Sequence, residues 1–198
     1  MSEEKKDSEV YIDIFTNLGP EEKKGVMDVL SASFLKQYGI TISEKSLNQI
    51  VFWIQDEKDE REGGKIVSVA LLNFNTSVVH LLKEYGLAEK QEKNEEKKEK
   101  EQKIRYIAFI NSVATDESCR RQGYSAKIFE TIFQFCRHQG IYECFLECAN
   151  DPLMPSYRLY TKLGFRKMTK DGIMVKGLNQ VLMYLKLTSD DNTSDKEK

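Results

Sequence analysis

At 198 residues the chain is long enough for one well-filled core and short for two. Its 30 Lys and Arg against 32 Asp and Glu give a formal net charge of -2, which argues against a chain built to neutralise nucleic-acid phosphates. No apolar run has the length a bilayer crossing needs, and the N-terminus MSEEKKDSE lacks the apolar stretch of a signal peptide.

In chain order, VYIDIF (Val10 to Phe15) alternates and reads as a strand. Gly19-Pro20 then opens a helix, with Glu21 and Glu22 in its first turn and Val26, Leu30, Phe34 and Tyr38 along one face. Thr41 and Glu44 make a capping box for a second helix, expected to carry Leu47, Ile50, Val51 and Ile54 on one face. KIVSVALLNF (Lys65 to Phe74) reads as a strand, and SVVHLL (Ser77 to Leu82) as another. The insert at about residues 84–103 ends in EKQEKNEEKKEKEQK, which has no apolar residue and cannot be core; it reads either as a solvated helix or as disorder.

After the insert the signals sharpen. Tyr106 to Thr115 reads as an apolar strand. Tyr124 to His138 reads as a helix with Ile128, Ile132 and Cys136 on one face, beside Phe129 and Phe133, and Gly140 ends it. Tyr142 to Ala149 is a strand apolar on both faces; Pro155 starts a short helix stopped by Gly164. FRKM and Gln180 to Leu187 close the sheet. The strand–helix–strand unit predicts a parallel pair with a right-handed crossover, inside a mixed α/β sheet with helices on both faces. Residues 1–8 and 189–198 are expected to be disordered ends of a single domain over 9–188.

Cys119, Cys136, Cys144 and Cys148 include no CxxC pair and read as reduced thiols of an intracellular protein, cytoplasmic or nuclear. With only His80 and His138, a His-based zinc site or a Ser/His/Asp triad has little to work with, and no metal is expected.

CRRQGYSAKIF (Cys119 to Phe129) joins strand to helix through two arginines and one glycine. A helix N-terminus carries unpaired N–H groups and partial positive charge, Gly123 allows close backbone approach, and Arg120 and Arg121 add charge. That combination suits a phosphate or pyrophosphate. It equally suits a plain turn with two exposed arginines, and one glycine is neither a dinucleotide fingerprint nor a P-loop.

RRQGYS (Arg120 to Ser125) resembles the [Q/R]-x-x-G-x-[G/A] signature of the GNAT superfamily of N-acetyltransferases. LYTKLGF (Leu159 to Phe165) resembles that family's second core segment, and the likeness extends from about Arg105 to Leu187. The resemblance implies a mostly antiparallel central sheet with one splayed parallel strand pair. It implies acetyl-CoA as cosubstrate, its pyrophosphate held at Arg120, Arg121, Gln122, Gly123, Tyr124, Ser125 and Ala126, and its pantetheine arm along Val113, Ala114 and Thr115. Ser125 departs from the small residue of the signature. ANDPLMPS is longer than the usual link.

The implied chemistry is acetyl transfer from a thioester to an amine. Tyr160 matches the family's tyrosine beside the departing thiolate; a core tyrosine is the competing reading. Asn111 sits where a glutamate base is frequent and cannot serve as one. Glu147 is the candidate base through water, with His80 behind it. Cys144 and Cys148 read as packing rather than as acyl carriers. The expected acceptor is a primary amine of a protein or peptide, a lysine side chain or an N-terminus; the alternative is a catalytically weak module of the same fold that binds a CoA compound or a protein partner. The sequence leaves the oligomeric state open.

Overall fold

The computed structural model describes residues 9–38, 49–56, 64–74, 106–168 and 179–188. Thr41, Glu44, Leu47, His80, the strand expected over Ser77 to Leu82, the charged insert and both chain ends lie outside the described residues. The elements are β1 (Val10–Ile14), α1 (Pro20–Tyr38), β2 (Ile50–Asp56), β3 (Lys65–Asn73), β4 (Ala108–Thr115), α2 (Tyr124–His138), β5 (Glu143–Ala149), α3 (Pro155–Lys162), β6 (Arg166–Lys167) and β7 (Gln180–Lys186). Their strands form a seven-stranded mixed sheet in the order β1-β2-β3-β4-β5-β7-β6, in which β4 and β5 run parallel. Contacts divide the chain into two compact units: residues 1–72 with Asn111–Gln134, and Asn73–Ile110 with residues 135–198.

In the first unit, α1 starts as expected. The Glu22 carboxylate reaches back to accept the Gly19 N–H at 2.7 Å, the reciprocal half of a capping box. Val26, Val29 and Leu30 pack with Phe15, Leu18, Val51, Trp53, Ile66, Val69, Leu71 and Ala114 in one cluster. The strands beneath are buried on both faces: Phe52 and Ile54 are as inaccessible as Val51.

The expectation of a helix running through Ile50, Val51 and Ile54 is corrected here, because these residues form β2, paired antiparallel with β1 and with β3. A continuous apolar run satisfies helical spacing and strand alternation alike, so periodicity could not choose. The β-branched and aromatic content of IVFWI and two strand partners decide it. The β2–β3 register shifts between Ile54↔Ser68 and Gln55↔Ile66, which leaves Val67 as the extra residue of a bulge. The bulge resets the alternation and brings Ile66 onto the face of Val69 and Leu71.

In the second unit, β4 and β5 are parallel over Ala108↔Cys144, Phe109↔Phe145 and Ile110↔Leu146, as the strand–helix–strand order predicts. On its other side β5 pairs antiparallel with β7 along its whole length, from Glu143↔Lys186 to Ala149↔Gln180. Ile107, Phe145 and Leu182 form a core with Phe109, Met168 and Tyr184 against it.

Helix α3 ends in a Schellman motif. Gly164 takes φ +95°, its N–H donates to the Thr161 carbonyl at 3.1 Å, and the Phe165 N–H donates to the Tyr160 carbonyl at 3.0 Å. Phe165 then folds back under the helix, edge-on to the Tyr160 ring with centroids 6.2 Å apart. The segment LYTKLGF therefore has a local reason for its shape: glycine at the left-handed position, and an apolar residue after it to seal the last turn.

Candidate functional site

In the first unit, β4 ends at Thr115 and the chain reaches α2 through one turn of 3-10 helix, Glu117–Cys119. Asp116 anchors this loop. One carboxylate oxygen accepts the Ser118 N–H at 2.9 Å and the Ser118 hydroxyl at 2.5 Å; the other accepts the Lys65 ammonium at 2.7 Å. Its own N–H donates to the Val67 carbonyl at 2.8 Å. The hydrogen bonds from Lys65 and then Ser118 hold the Asp116 carboxyl down at about 2, and the same partnership raises Lys65.

Past this anchor, Arg120, Arg121, Gln122 and Gly123 run exposed in succession. The Arg120 Nε donates to the Thr115 carbonyl at 3.4 Å, which draws its stem back over the loop. Arg121 takes φ +67° and Gly123 φ +89°. No protein atom lies within 4 Å of where a Gly123 Cβ would stand, so glycine serves the backbone angle and leaves that side of the turn open. The Gly123 carbonyl accepts the Lys127 N–H at 3.1 Å, closing the first turn of α2. The N–H groups of Tyr124, Ser125 and Ala126 thus stand at the start of the helix without an intrahelical acceptor. An exposed turn with two cations and three such donors can hold an anionic group.

The Ser125 hydroxyl lies 2.8 Å from Thr115 Oγ1, which lies 2.8 Å from the Ser68 hydroxyl; Ser68 in turn donates to the Ala114 carbonyl at 3.1 Å. Thr115 and Ser125 were candidates from the motif. Ser68, Lys65 and Asp116 were missed. D-x-S is an Asx-turn signal that could have found Asp116; a serine within KIVSVALLN gives none. Val113 is half-buried and Ala114 is buried, its carbonyl taken by Ser68.

In the second unit, Tyr160 is buried on α3, 7% exposed. Glu147 stands on β5 opposite Leu182 and, by strand alternation, on the face of Phe145. Cys148 points to the other face, where its thiol donates to the Ser156 hydroxyl at 4.0 Å, one turn before Tyr160. Glu147 and the α3 helix thus occupy opposite faces of β5. Burial pushes the Cys148 thiol up to about 11, and a hydrogen bond to Cys136 together with burial raises Cys144. Neither is a thiolate near neutral pH, so neither is a ready acyl carrier. Tyr184 is raised by burial and then by Glu143, to which it donates at 3.4 Å. His138 is exposed in the last turn of α2. Among the described residues no cluster of three or more His, Cys, Asp or Glu is gathered, and no helix is long and apolar enough to cross a membrane.

No curated protein matches this chain in sequence. Solved structures match it in fold. The NatC complex bound to Gag peptide and CoA aligns with TM-score 0.59 at 13% identity, covering 91% of this chain and 99% of that one. Arabidopsis thaliana NAA60 in complex with acetyl-CoA aligns with TM-score 0.61 at 10% identity, over 90% and 100%. The ribosomal-protein-S18-alanine N-acetyltransferase from Escherichia coli aligns with TM-score 0.54 at 15% identity, over 93% and 98%. The family model of the GNAT acetyltransferases matches residues 26–165, a span that holds the loop from Asp116 to Gly123, helix α2, Glu147 and Tyr160, and on this match the chain belongs to the acetyltransferase (GNAT) family.

Proposed function

We propose that this protein is an acetyl-CoA-dependent N-acetyltransferase whose acceptor is the primary amine of a protein or peptide, a lysine side chain or an N-terminus. The observation that carries the reading is the exposed Arg120-Arg121-Gln122-Gly123 turn opening α2 on a loop pinned by Asp116. The pyrophosphate takes the N–H groups at the start of α2 and the charge of the arginines. The pantetheine arm runs along Val113, Ala114 and Thr115. The fold-mates bound to acetyl-CoA, and to CoA with a peptide, support this pairing of cosubstrate and acceptor class.

In the reaction the neutral amine attacks the thioester carbonyl carbon, a C–N bond forms, and the C–S bond breaks. A lysine-type amine has a pKa near 10.4, so a proton must leave it as attack proceeds. Glu147 receives that proton through water. The departing thiolate takes a proton from the Tyr160 hydroxyl.

The test is a calorimetric titration with acetyl-CoA, followed by thiol release with a panel of peptide and polyamine acceptors. Micromolar binding with peptide-dependent thiol release supports the reading. Turnover on small polyamines alone would remove the peptide acceptor. Binding with no turnover on any amine would favour a binding module, the reading that Asn111, exposed on β4, keeps open.

A further inference from the structure

Ser68 is the one buried polar side chain of the core among the described residues, at 0% exposure in a strand of apolar neighbours. A buried hydroxyl costs free energy unless its hydrogen bonds are made, and an alanine or valine at this place would carry no such cost. Its contacts have a direction. Ser68 has a single hydroxyl proton, and it goes to the Ala114 carbonyl at 3.1 Å. The 2.8 Å contact between Ser68 and Thr115 is then donated by Thr115. Thr115 has no second proton, so the 2.8 Å contact with Ser125 is donated by Ser125.

We propose that this one-way chain, Ser125 to Thr115 to Ser68 to the Ala114 carbonyl, makes Ser68 a positioning residue for the CoA-binding turn. Thr115 is the last residue of β4 and Ser125 the second of α2, so the chain ties the two flanks of the loop between them. With its proton turned inward, Ser125 has no O–H to offer an anion, and its contribution there is its backbone N–H. Where that N–H stands depends on the tie, and the tie ends on Ser68. The proposal rests on the reading of the turn as the CoA site. It also accounts for a hydroxyl at position 125, where the signature has glycine or alanine: in this chain the serine is consumed by Thr115.

The test measures CoA affinity by calorimetry for the wild type, Ser68→Ala, Ser125→Ala and the double variant, with thermal unfolding to confirm that each is folded. Each single variant is expected to weaken CoA about fivefold, the scale of one lost hydrogen bond. The double variant is expected to match the singles rather than reach about 25-fold, because both remove the same tie. For Ser68→Ala the loss is expected in KM for acetyl-CoA and not in kcat, a split that general loosening of the core would not produce. Thr115→Val removes both ends of the tie with little change of shape and gives the same loss even where Ser68→Ala folds poorly. Wild-type affinity in the variants, or additive losses, would overturn the proposal while leaving the CoA reading intact. No CoA binding by the wild type would overturn both.

Discussion

Tyr160 is legible in the sequence through LYTKLGF, and its surroundings explain why the segment is shaped as it is. The Schellman turn at Gly164 and the Phe165 ring fix the helix that carries it. Tyr160→Phe keeps that packing and removes the hydroxyl proposed to protonate the thiolate. Turnover is expected to fall about 100-fold, within the range of general acid catalysis, with acetyl-CoA affinity within about twofold by calorimetry. Glu147→Gln is expected to lower kcat on a similar scale at unchanged acetyl-CoA affinity; equal turnover would remove Glu147 as the base. Gly123→Ala meets no steric barrier, so its cost is the φ of +89° alone, about 1 kcal/mol. In a chain of this size that is a loss of roughly 3 °C in Tm. Ser68 was not legible at all. A serine in an apolar strand has no local signature, and its partners, Ala114 and Thr115, lie far along the chain.

At the scale of elements, the apolar strands and helices that carry their own punctuation were readable. Helix α2 matches its expected bounds, Tyr124 to His138, because a glycine precedes it and an apolar stripe runs through it. The stripe at Ile50 to Ile54 misled, since a strand buried on both faces has no alternation to show. The loop anchor at Asp116 is an element-scale device whose pH dependence has a definite sign. Its folded-state pKa, about 2, lies below the ordinary aspartate value of 3.8. Its contribution to stability is therefore fully present above the unfolded value, and is lost as pH falls through about 2. Asp116→Ala is expected to cost about 1 kcal/mol at neutral pH, by loss of the cap to Ser118 more than of the exposed Lys65 pair. The difference in stability between variant and wild type is expected to shrink between about pH 4 and pH 2 in acid-unfolding curves. A constant difference across that window would take the carboxylate out of the account.

For the molecule as a whole, the mixed sheet with one parallel pair was legible because the second half of the chain carries a strand–helix–strand unit and two glycine-marked segments. The family followed from the same two segments, and the family model spans them both. The role of the charged insert was not legible, because a segment without apolar residues has no periodicity that packing must obey. If the chain binds acetyl-CoA in its folded state, ligand at 100 times its Kd is expected to add about 2.7 kcal/mol of stability, or roughly 8 °C in Tm. Equal concentrations of dephosphorylated pantetheine, which lacks the pyrophosphate, should add far less. An equal shift from pantetheine would mean that the turn before α2 does not read the pyrophosphate.

The most direct single measurement is the titration of the wild-type protein with acetyl-CoA in a calorimeter, followed in the same sample by free-thiol release on addition of peptide acceptors. We expect saturable binding at one site per chain and thiol release that requires both cosubstrate and peptide amine. The absence of any acetyl-CoA binding would contradict the account at its centre.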